Sequence, residues 1–517
     1  MRKVHILWTD DEIDLLKPHI LFLEEKGFEV SIASNGDDAI KQVKQSDFDL
    51  VFLDENMPGL SGLQTLTIIK EVKPDIPVIM ITKSEEENIM DEAIGSKIAD
   101  YLIKPVNPKQ ILLSIKKNID TKRLVSEKTL SDYQSEFGKI GMKISEARDF
   151  NDWVELYRKL VYWELELEQN EETGMQEVFH MQKADANNGF AKFIKNNYQE
   201  WFSENGKKPL MSPDLFKERI FPLLDEGEKV FVLLIDNFRY DQWKLVQPLI
   251  SDYFTVEKEE LYCSILPTAT QYGRNAIFAG LMPYEIDKLY PQYWLNDDDE
   301  GGKNMKEEEL LQTQLARNSK KYKYFYEKVS QLKTGEKLVD NIKDLLNNQL
   351  NVLVYNYIDM LSHARTEIEM IRELANDEPA YRSLTLSWFK HSPLFALIKE
   401  LQQNNVKIII TTDHGTVRVQ NPVKVVGDKN TSTNLRYKSG RNLNYNPKEV
   451  FEVRDPKKVH LPKSNLSSSY IFAINDDFLA YPNNYNYYVS YYKNTFQHGG
   501  ISLEEMIIPF IKLKPNN

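Results

Sequence analysis

Cysteine is almost missing from this 517-residue sequence, where Cys263 stands alone. One thiol forms no internal disulfide and no cysteine-based zinc site, and a reducing compartment fits. Long apolar runs are lacking too. No stretch approaches the about 18 residues of a membrane span. The apolar run after Met1-Arg2-Lys3 breaks at Asp10-Asp11-Glu12, too short for a signal-peptide core and closed by acids rather than small residues. The expectation is a cytoplasmic protein with no membrane insertion. Positive charge is also in deficit: 65 Lys and Arg stand against 78 Asp and Glu, a net charge of −13. That balance, with no compact C-terminal helix-turn-helix pattern, argues against a DNA-binding transcription factor. No internal repeat is present.

Hydrophobic residues make up 41% and charged residues 28% of the chain, the balance of a soluble globular protein. The length exceeds what one core sustains, so two or three domains are expected. Residues 1–120 alternate short apolar runs (4–8, 30–33, 50–53, 78–81 and 100–103) with amphipathic helical patterns such as 15–26 and 37–45. Strict alternation predicts a parallel sheet covered on both faces, with ligands at the carboxyl ends of its strands. Residues 108–220 are rich in Lys, Glu, Gln and Leu, and 121–209 within them are read as a linker. Helical periodicity over 108–128, 150–169 and 191–203 predicts a linker bundle. From about residue 210 to 517 a second α/β domain is expected, with buried strands over 230–235, 352–357 and 406–411, each ending in a polar cluster that contains Asp. Residues 415–470 are polar and read as irregular. Their basic positions, Lys424, Lys429, Arg436, Lys438 and Arg441, either border a substrate site or form a solvated loop. The Tyr- and Asn-rich run 481–492 reads as surface.

Two constellations carry chemistry. In the first, Asp10 and Asp11 close the first strand, Asp54 closes the third, Thr82 ends the fourth, and Lys104 follows the fifth ahead of Pro105. A five-stranded parallel sheet makes these groups converge. Carboxylates in a cluster suit Mg²⁺, which takes oxygen ligands. The metal neutralises an incoming phosphoryl group while Asp54 attacks it, Lys104 pairs with the phosphoryl oxygens, and Thr82 hydrogen-bonds them. Any one acid at a strand end is usually a helix cap; the ordered set is not explained that way. The segments Leu53-Asp54-Glu55-Asn56-Met57-Pro58-Gly59, Thr82-Lys83 and Tyr101-Leu102-Ile103-Lys104-Pro105 resemble those of two-component receiver domains, which have a flavodoxin-like (βα)5 fold. The resemblance implies phosphorylation on Asp54, Mg²⁺ held by Asp11, Asp54 and the Asn56 carbonyl with help from Asp10, and Thr82 and Tyr101 as switch residues. It also implies a sensor histidine kinase as partner. Phosphorylation is expected to drive homodimerisation through the fourth and fifth helices and the fifth strand.

The second constellation lies beyond residue 229. Asp236 ends one apolar run, Asp413-His414-Gly415 follows another, Asp359 and His363 stand four apart, and His498-Gly499-Gly500 precedes Glu504 and Glu505. Carboxylate and imidazole donors without thiolate suit catalytic zinc. Two such ions can clamp both oxygens of a phosphoryl displacement. Pro267-Thr268-Ala269-Thr270 precedes a helical pattern, where backbone amides welcome an anion. Arg274 or Asn275 nearby can stabilise developing charge. Of the eight histidines, His5, His19, His180, His391 and His460 are read as structural. The region resembles the alkaline phosphatase superfamily, and within it PglZ-type domains. That resemblance implies one zinc held by Asp359, His363 and His498, and a second held by Asp236, Thr270, Asp413 and His414. It implies Thr270 as the nucleophile, because the second threonine attacks in the similar motif of nucleotide phosphodiesterases. Ser362 replaces the glycine that often precedes the histidine in the superfamily.

A receiver, a helical linker and a PglZ-type domain together resemble response regulators that control type IX secretion. The expected activity is hydrolysis of a phosphodiester, in a nucleotide or oligonucleotide, under the control of Asp54. The alternative is a non-catalytic effector that signals by binding a kinase, a sigma factor or a secretion component.

Overall fold

The computed structural model describes residues 3–74, 76–83, 98–169, 173–297, 299–428, 431–463, 465 and 467–516. It divides into two compact units, Met1–Ser135 and Glu136–Asn517. In the first, strands β1 (His5–Thr9), β2 (Glu29–Ala33), β3 (Leu50–Asp54), β4 (Val78–Thr82) and β5 (Asp100–Ile103) pair in parallel in the order β2-β1-β3-β4-β5. The apolar runs of the sequence place these strands to within one residue at each end. Side chains alternate between the sheet faces: Leu7, Val51, Leu53 and Met80 join one core cluster, and Ile6, Trp8, Phe52 and Ile81 join the other. Strand order reverses between β1 and β3, so the crevice for a ligand opens where Asp10 and Asp54 stand. Helix α1 (Gly62–Val72) starts on a Ser61–Gln64 capping box. Its first residue must lack a Cβ, which would meet the Asp54 carbonyl oxygen at 2.5 Å. Residues 84–97, where the fourth helix and part of the dimer face are expected, lie outside the described residues.

Helices Pro108–Ile115, Thr121–Glu146, α2 (Phe150–Glu168) and α3 (Thr173–Asn197) follow. Helix α2 buries Trp153, Leu156, Tyr157, Leu160, Trp163 and Leu167, an i, i+3, i+4 stripe. Trp153 meets Phe190 of α3 edge to face at 5.6 Å. The helix predicted over 191–203 is thus the end of a longer one, continued by a 3₁₀ turn at Glu200–Phe202.

The second unit is built on a six-stranded sheet of β6 (Val230–Ile235), β7 (Phe254–Cys263), β8 (Tyr324–Val329), β9 (Leu350–Tyr355), β10 (Lys407–Thr411) and β11 (Ile507–Pro515), in the order β7-β11-β10-β6-β9-β8. The strands β8, β9, β6 and β10 run parallel, while β11 is antiparallel to both β10 and β7. Strands β6 and β9 are buried at every position, as continuous apolar runs require. Strand β9 stops at Tyr355, two residues short of its predicted end, because a helix begins at Tyr357. The stretch read as irregular contains strands Asn421–Lys424, Tyr437–Gly440, Val450–Val453 and Ser469–Ala473; the last three form an antiparallel sheet. Helix Tyr485–Tyr492 buries none of its residues, as expected of a surface segment.

Candidate functional site

In the first unit Asp10, Asp11 and Asp54 offer carboxylate oxygens within 4.8 Å of one another. Asp10 and Asp54 are buried and Asp11 is exposed. Lys104 Nζ lies 2.8 Å from Asp10 Oδ2 and 3.0 Å from Asp54 Oδ2. Burial pushes the Asp54 carboxyl up; Lys104 opposes that, and Asp10 and Asp11 add to it. Asp54 Oδ1 is buried without a hydrogen-bond partner among the described residues. An orphaned carboxylate oxygen facing two more acids fits a divalent cation. Thr82 is fully buried and shares a side-chain hydrogen bond with Tyr101. Asn56 is exposed two residues beyond the end of β3.

In the second unit the carboxyl ends of β6, β9 and β10 supply the donors. Asp236 follows β6 directly, Asp413 and His414 follow β10, and α5 (Tyr357–Glu367) carries Asp359 and His363 one turn apart. His498 arrives from the other end of the chain, because Phe496–Gln497 pairs with Val417–Arg418. Only glycine fits at Gly415, where a Cβ would overlap the Glu504 carbonyl oxygen at 1.9 Å. Two groups result, Asp359 with His363 and His498, and Asp236 with Asp413 and His414, each with donor atoms within 4.8 Å. They adjoin one another: the His414 and His498 rings stack at 4.1 Å, and Asn237 Nδ2 reaches Asp359 Oδ1 at 3.4 Å while its amide reaches Asp413 Oδ1 at 3.4 Å.

The imidazoles are oriented as ligands are. His414 Nδ1 lies 3.1 Å from the Gly415 carbonyl and His498 Nδ1 lies 3.1 Å from the Thr268 carbonyl. Each Nδ1–H donates there, which makes Nε2 the nitrogen that carries the lone pair. Burial, with His414 and His363 alongside, lowers the His498 pKa to about 3, so its ring is neutral near pH 7. Burial pushes Asp236 well above the carboxylate range; it also works against Asp413, whose carboxyl Arg274 and His414 nevertheless pull down. Asp236 Oδ1 has no hydrogen-bond partner among the described residues. Three carboxylates and three imidazoles, without sulfur, fit a pair of zinc-like cations.

Helix α4 (Thr270–Ala279) begins at Thr270, and its N-cap Ala269 offers no side-chain cap. Thr270 Oγ1 stands 3.1 Å from His414 Nε2, at an end that favours anions. The two threonines left open by the residue pattern now separate. Thr268 Oγ1 is fully buried, donates to the Gly500 carbonyl at 2.9 Å and accepts from Gly499 N at 3.0 Å, which fixes the His498 turn.

Arg274 and Asn275 are placed differently from the expected contact with substrate phosphate. The fully buried Arg274 guanidinium pairs with Asp236, with Asp413 Oδ2 at 3.0 Å and with Glu307 Oε1 at 3.4 Å. It orients two ligand carboxylates, and its charge is spent on them. Asn275 Nδ2 donates to the Lys303 carbonyl at 3.1 Å. Two positions of the basic stretch depart from both of its readings. Arg436 is buried on Glu505 at 2.6 Å, and Lys438 is buried with Nζ 3.0 Å from the Ser432 carbonyl, burial lowering its pKa to about 7. Lys424 and Arg441 are exposed, and Lys429 lies outside the described residues.

Asn237 escapes the sequence reading, and Ser362, read only as a replacement for glycine, turns out to be its partner. Asn237 adopts φ 62°, a left-handed conformation that asparagine tolerates, and donates to Ser362 Oγ at 3.0 Å. The Asp-Asn pair at a strand end was the available signal. A buried ionic network also ties the linker helices to the site loops. Arg382 bridges Glu164 of α2 and Asp241 at 3.1 and 2.7 Å, Lys183 of α3 bridges Glu164 and Glu504 at 2.9 Å each, and Arg239 joins Asp241 and Glu378.

Comparisons with known proteins divide along the same lines. Residues 215–513 match the family described as BREX system PglZ alkaline phosphatase-like domain, residues 123–202 match the PorX response regulator linker domain, and residues 6–116 match the response regulator receiver domain. Among curated proteins, the transcriptional regulatory protein ZraR of Klebsiella oxytoca is 32% identical over 27% of this chain, and ResD of Bacillus subtilis is 33% identical over 22%. The chain spans 31% and 46% of the lengths of those two relatives. Among solved structures, a CheY-like receiver domain protein from Methanospirillum hungatei is 27% identical, with 23% of this chain and 96% of that one covered and a TM-score of 0.23. A receiver domain protein from Clostridium thermocellum is 31% identical, with 23% and 98% covered and a TM-score of 0.23. No described helix is long and apolar enough to cross a membrane.

Proposed function

We propose, from the premise that the chain belongs to the family of the BREX system PglZ alkaline phosphatase-like domain and joins it to a receiver and a linker as a PorX-type regulator does, that it is a phosphorylation-controlled, metal-dependent phosphodiesterase acting on nucleotides or short oligonucleotides. A sensor histidine kinase is the source of the phosphoryl group on Asp54, with Mg²⁺ held by Asp10, Asp11, Asp54 and the Asn56 carbonyl. The downstream process is type IX secretion. The observation that carries the catalytic reading is the meeting of two nitrogen–oxygen ligand groups beside Thr270, whose Oγ1 is 3.1 Å from His414 Nε2.

Zinc bound by Asp359, His363 and His498, and by Asp236, Asp413 and His414 with Thr270, supplies positive charge against the phosphoryl oxygens and lowers the pKa of a hydroxyl. The chain's own residues do the rest. Thr270, its proton lost to solvent, forms a bond to phosphorus as the bond to the leaving oxygen breaks, and the departing alkoxide takes a proton from water. Water then cleaves the Thr270 phosphoester and restores the hydroxyl. Arg274 holds Asp236 and Asp413 in place, and Thr268 holds the turn that presents His498.

Metal removal tests this reading. The purified chain is expected to carry about two zinc ions, as a two-metal phosphoryl site requires, and to hydrolyse bis(4-nitrophenyl) phosphate. Dialysis against a strong chelator should remove both metal and activity, and added zinc should restore both. The receiver should keep its fold throughout, read as an unchanged response to beryllofluoride once Mg²⁺ is returned. Full hydrolysis by metal-free protein contradicts the proposal.

A further inference from the structure

One cavity of the second unit lies outside the ligand groups yet shares a helix with them. It has a volume of about 260 Å³ and is lined by Tyr355, Tyr357, Met360, Trp388 and Leu332, with Gln331 at its edge. Val329 and Tyr355, which end β8 and β9, line it at the same carboxyl edge of the sheet that carries Asp236 and Asp413. Tyr357 and Met360 stand three apart on α5 and share a face; Asp359 and His363 stand four apart on the neighbouring face. The cavity and the ligand group therefore lie within about 10–12 Å, the width of one helix with its side chains.

The lining has an unusual composition for a surface site. Trp388, on helix α6 (Glu378–His391), stacks face to face on Tyr357 at 4.6 Å with the planes 3° apart. Tyr357 is 39% exposed, Met360 51% and Leu332 63%, so a flat aromatic and apolar shelf faces solvent. Tyr355, by contrast, is buried at 3% exposure, and its hydroxyl has no hydrogen-bond partner among the described residues. A buried hydroxyl without a partner costs stability unless a ligand supplies one. A stacking surface, a soft thioether and one waiting donor match a planar heteroaromatic ring with acceptor atoms on its rim. The volume lies just under the ~300–1,000 Å³ of drug-sized sites, which suits one ring system and not a dinucleotide.

We infer that this cavity is the nucleobase subsite of the phosphodiesterase, in which Tyr357 and Trp388 present the stacking platform, Met360 packs the ring, and Tyr355 donates to its edge. The inference rests on the phosphodiesterase reading and names its substrate class: a phosphodiester with a base one ribose away from the reacting phosphorus. The aromatic platform confers base preference without strict sequence choice, since every base has a π face.

Two measurements on the full zinc-loaded chain test it. The first compares kcat/KM for the 4-nitrophenyl ester of thymidine 5′-monophosphate with kcat/KM for ethyl 4-nitrophenyl phosphate, which shares the leaving group and lacks the base. The ratio is expected to favour the nucleotide at least about fivefold, the low end of what stacking one base contributes. Trp388→Ala should cut that ratio by about the same factor, and Trp388→Phe should keep most of it. Tyr355→Phe, which removes only an unpartnered hydroxyl, should fold as the parent does and lower the ratio as well. A ratio near one in the parent, or one that none of these changes moves, overturns the subsite. The second measurement is calorimetric binding of adenosine 5′-monophosphate against ribose 5-phosphate, which needs no turnover. Preferential binding of the nucleotide by a chain that hydrolyses neither ester upholds the subsite and removes the catalytic reading. Hydrolysis of both esters with equal binding of the two phosphates does the reverse.

Discussion

Thr270→Ala is expected to lower kcat/KM for bis(4-nitrophenyl) phosphate by at least about a thousandfold, some 4 kcal/mol of transition-state stabilisation. The residue is half-buried at the first position of α4, where no side chain caps the helix. Alanine is tolerated there, so the loss is chemical and not structural. Both ligand groups keep their aspartates and histidines, and zinc content should fall little, because each group closes within 4.8 Å without the threonine. Thr270→Ser should retain a hydroxyl nucleophile and most of the rate. Thr268→Ala makes a useful contrast: it removes the bonds to Gly499 and Gly500, so it should weaken zinc retention at His498 instead of abolishing the nucleophile. A Thr270→Ala variant that keeps more than a tenth of the parental rate sinks the assignment.

Asp54→Ala should abolish the whole shift toward dimer that beryllofluoride or acetyl phosphate produces in the parent, read by sedimentation velocity. Phosphorylation places charge and acceptor oxygens at the end of β3, within reach of Lys104 Nζ, 3.0 Å from Asp54 now. The buried Thr82 hydroxyl, which shares its hydrogen bond with Tyr101, has one proton to give and cannot serve Tyr101 and the phosphoryl group as donor at once. The same substitution should leave the receiver folded. Burial raises the Asp54 carboxyl, so the native state binds more protons than the unfolded chain across that titration. Stability contributed by this group is therefore present below the unfolded pKa and is lost as pH rises through the folded one. Above that titration the carboxylate opposes folding, and there Asp54→Ala in Mg²⁺-free buffer should melt no lower than the parent. A parental dimer shift that survives in Asp54→Ala would remove the switch from this residue.

Much of this architecture was legible because buried parallel strands are uniform apolar runs. Strands β6, β9 and β10 announce themselves that way, and the acids that close them mark the carboxyl edge where ligands gather. The strands that escaped are those whose sequence mixes signals. Strand β7 reads Phe-Thr-Val-Glu-Lys-Glu-Glu-Leu-Tyr-Cys, with Glu257 and Lys258 exposed and Glu259 and Glu260 half-buried in ion pairs, and β11 contains Pro509, which precedes its pairing with β10 at Phe510–Leu513, and Pro515, which ends the strand. The metal-site residues were legible as types at strand ends. Their second neighbours were not. A buried arginine takes whichever carboxylates the fold brings to it, so Arg274 looked like a phosphate contact and lies on Asp236 and Asp413. Arg436 looked like the border of a substrate site or part of a solvated loop and is a strut beneath Glu505. Thr268 and Thr270 differ by two positions at the entry to α4, and only the fold shows that one is engaged with the Gly499-Gly500 turn while the other stands beside His414. The grip of α2 and α3 on Glu504 and Arg382 was likewise invisible, because it joins residues as far apart in sequence as Lys183 and Glu504.

The central claim is that Thr270 carries the phosphoryl group through a covalent intermediate. Rapid acid quench of the zinc-loaded chain with bis(4-nitrophenyl) phosphate, followed by peptide mass spectrometry, measures it directly. The account predicts a 4-nitrophenyl phosphoryl adduct on the peptide that contains Thr270, formed as fast as the first nitrophenol is released and missing from Thr270→Ala. Release of nitrophenol with no adduct at any time, or an adduct on another side chain, would contradict it.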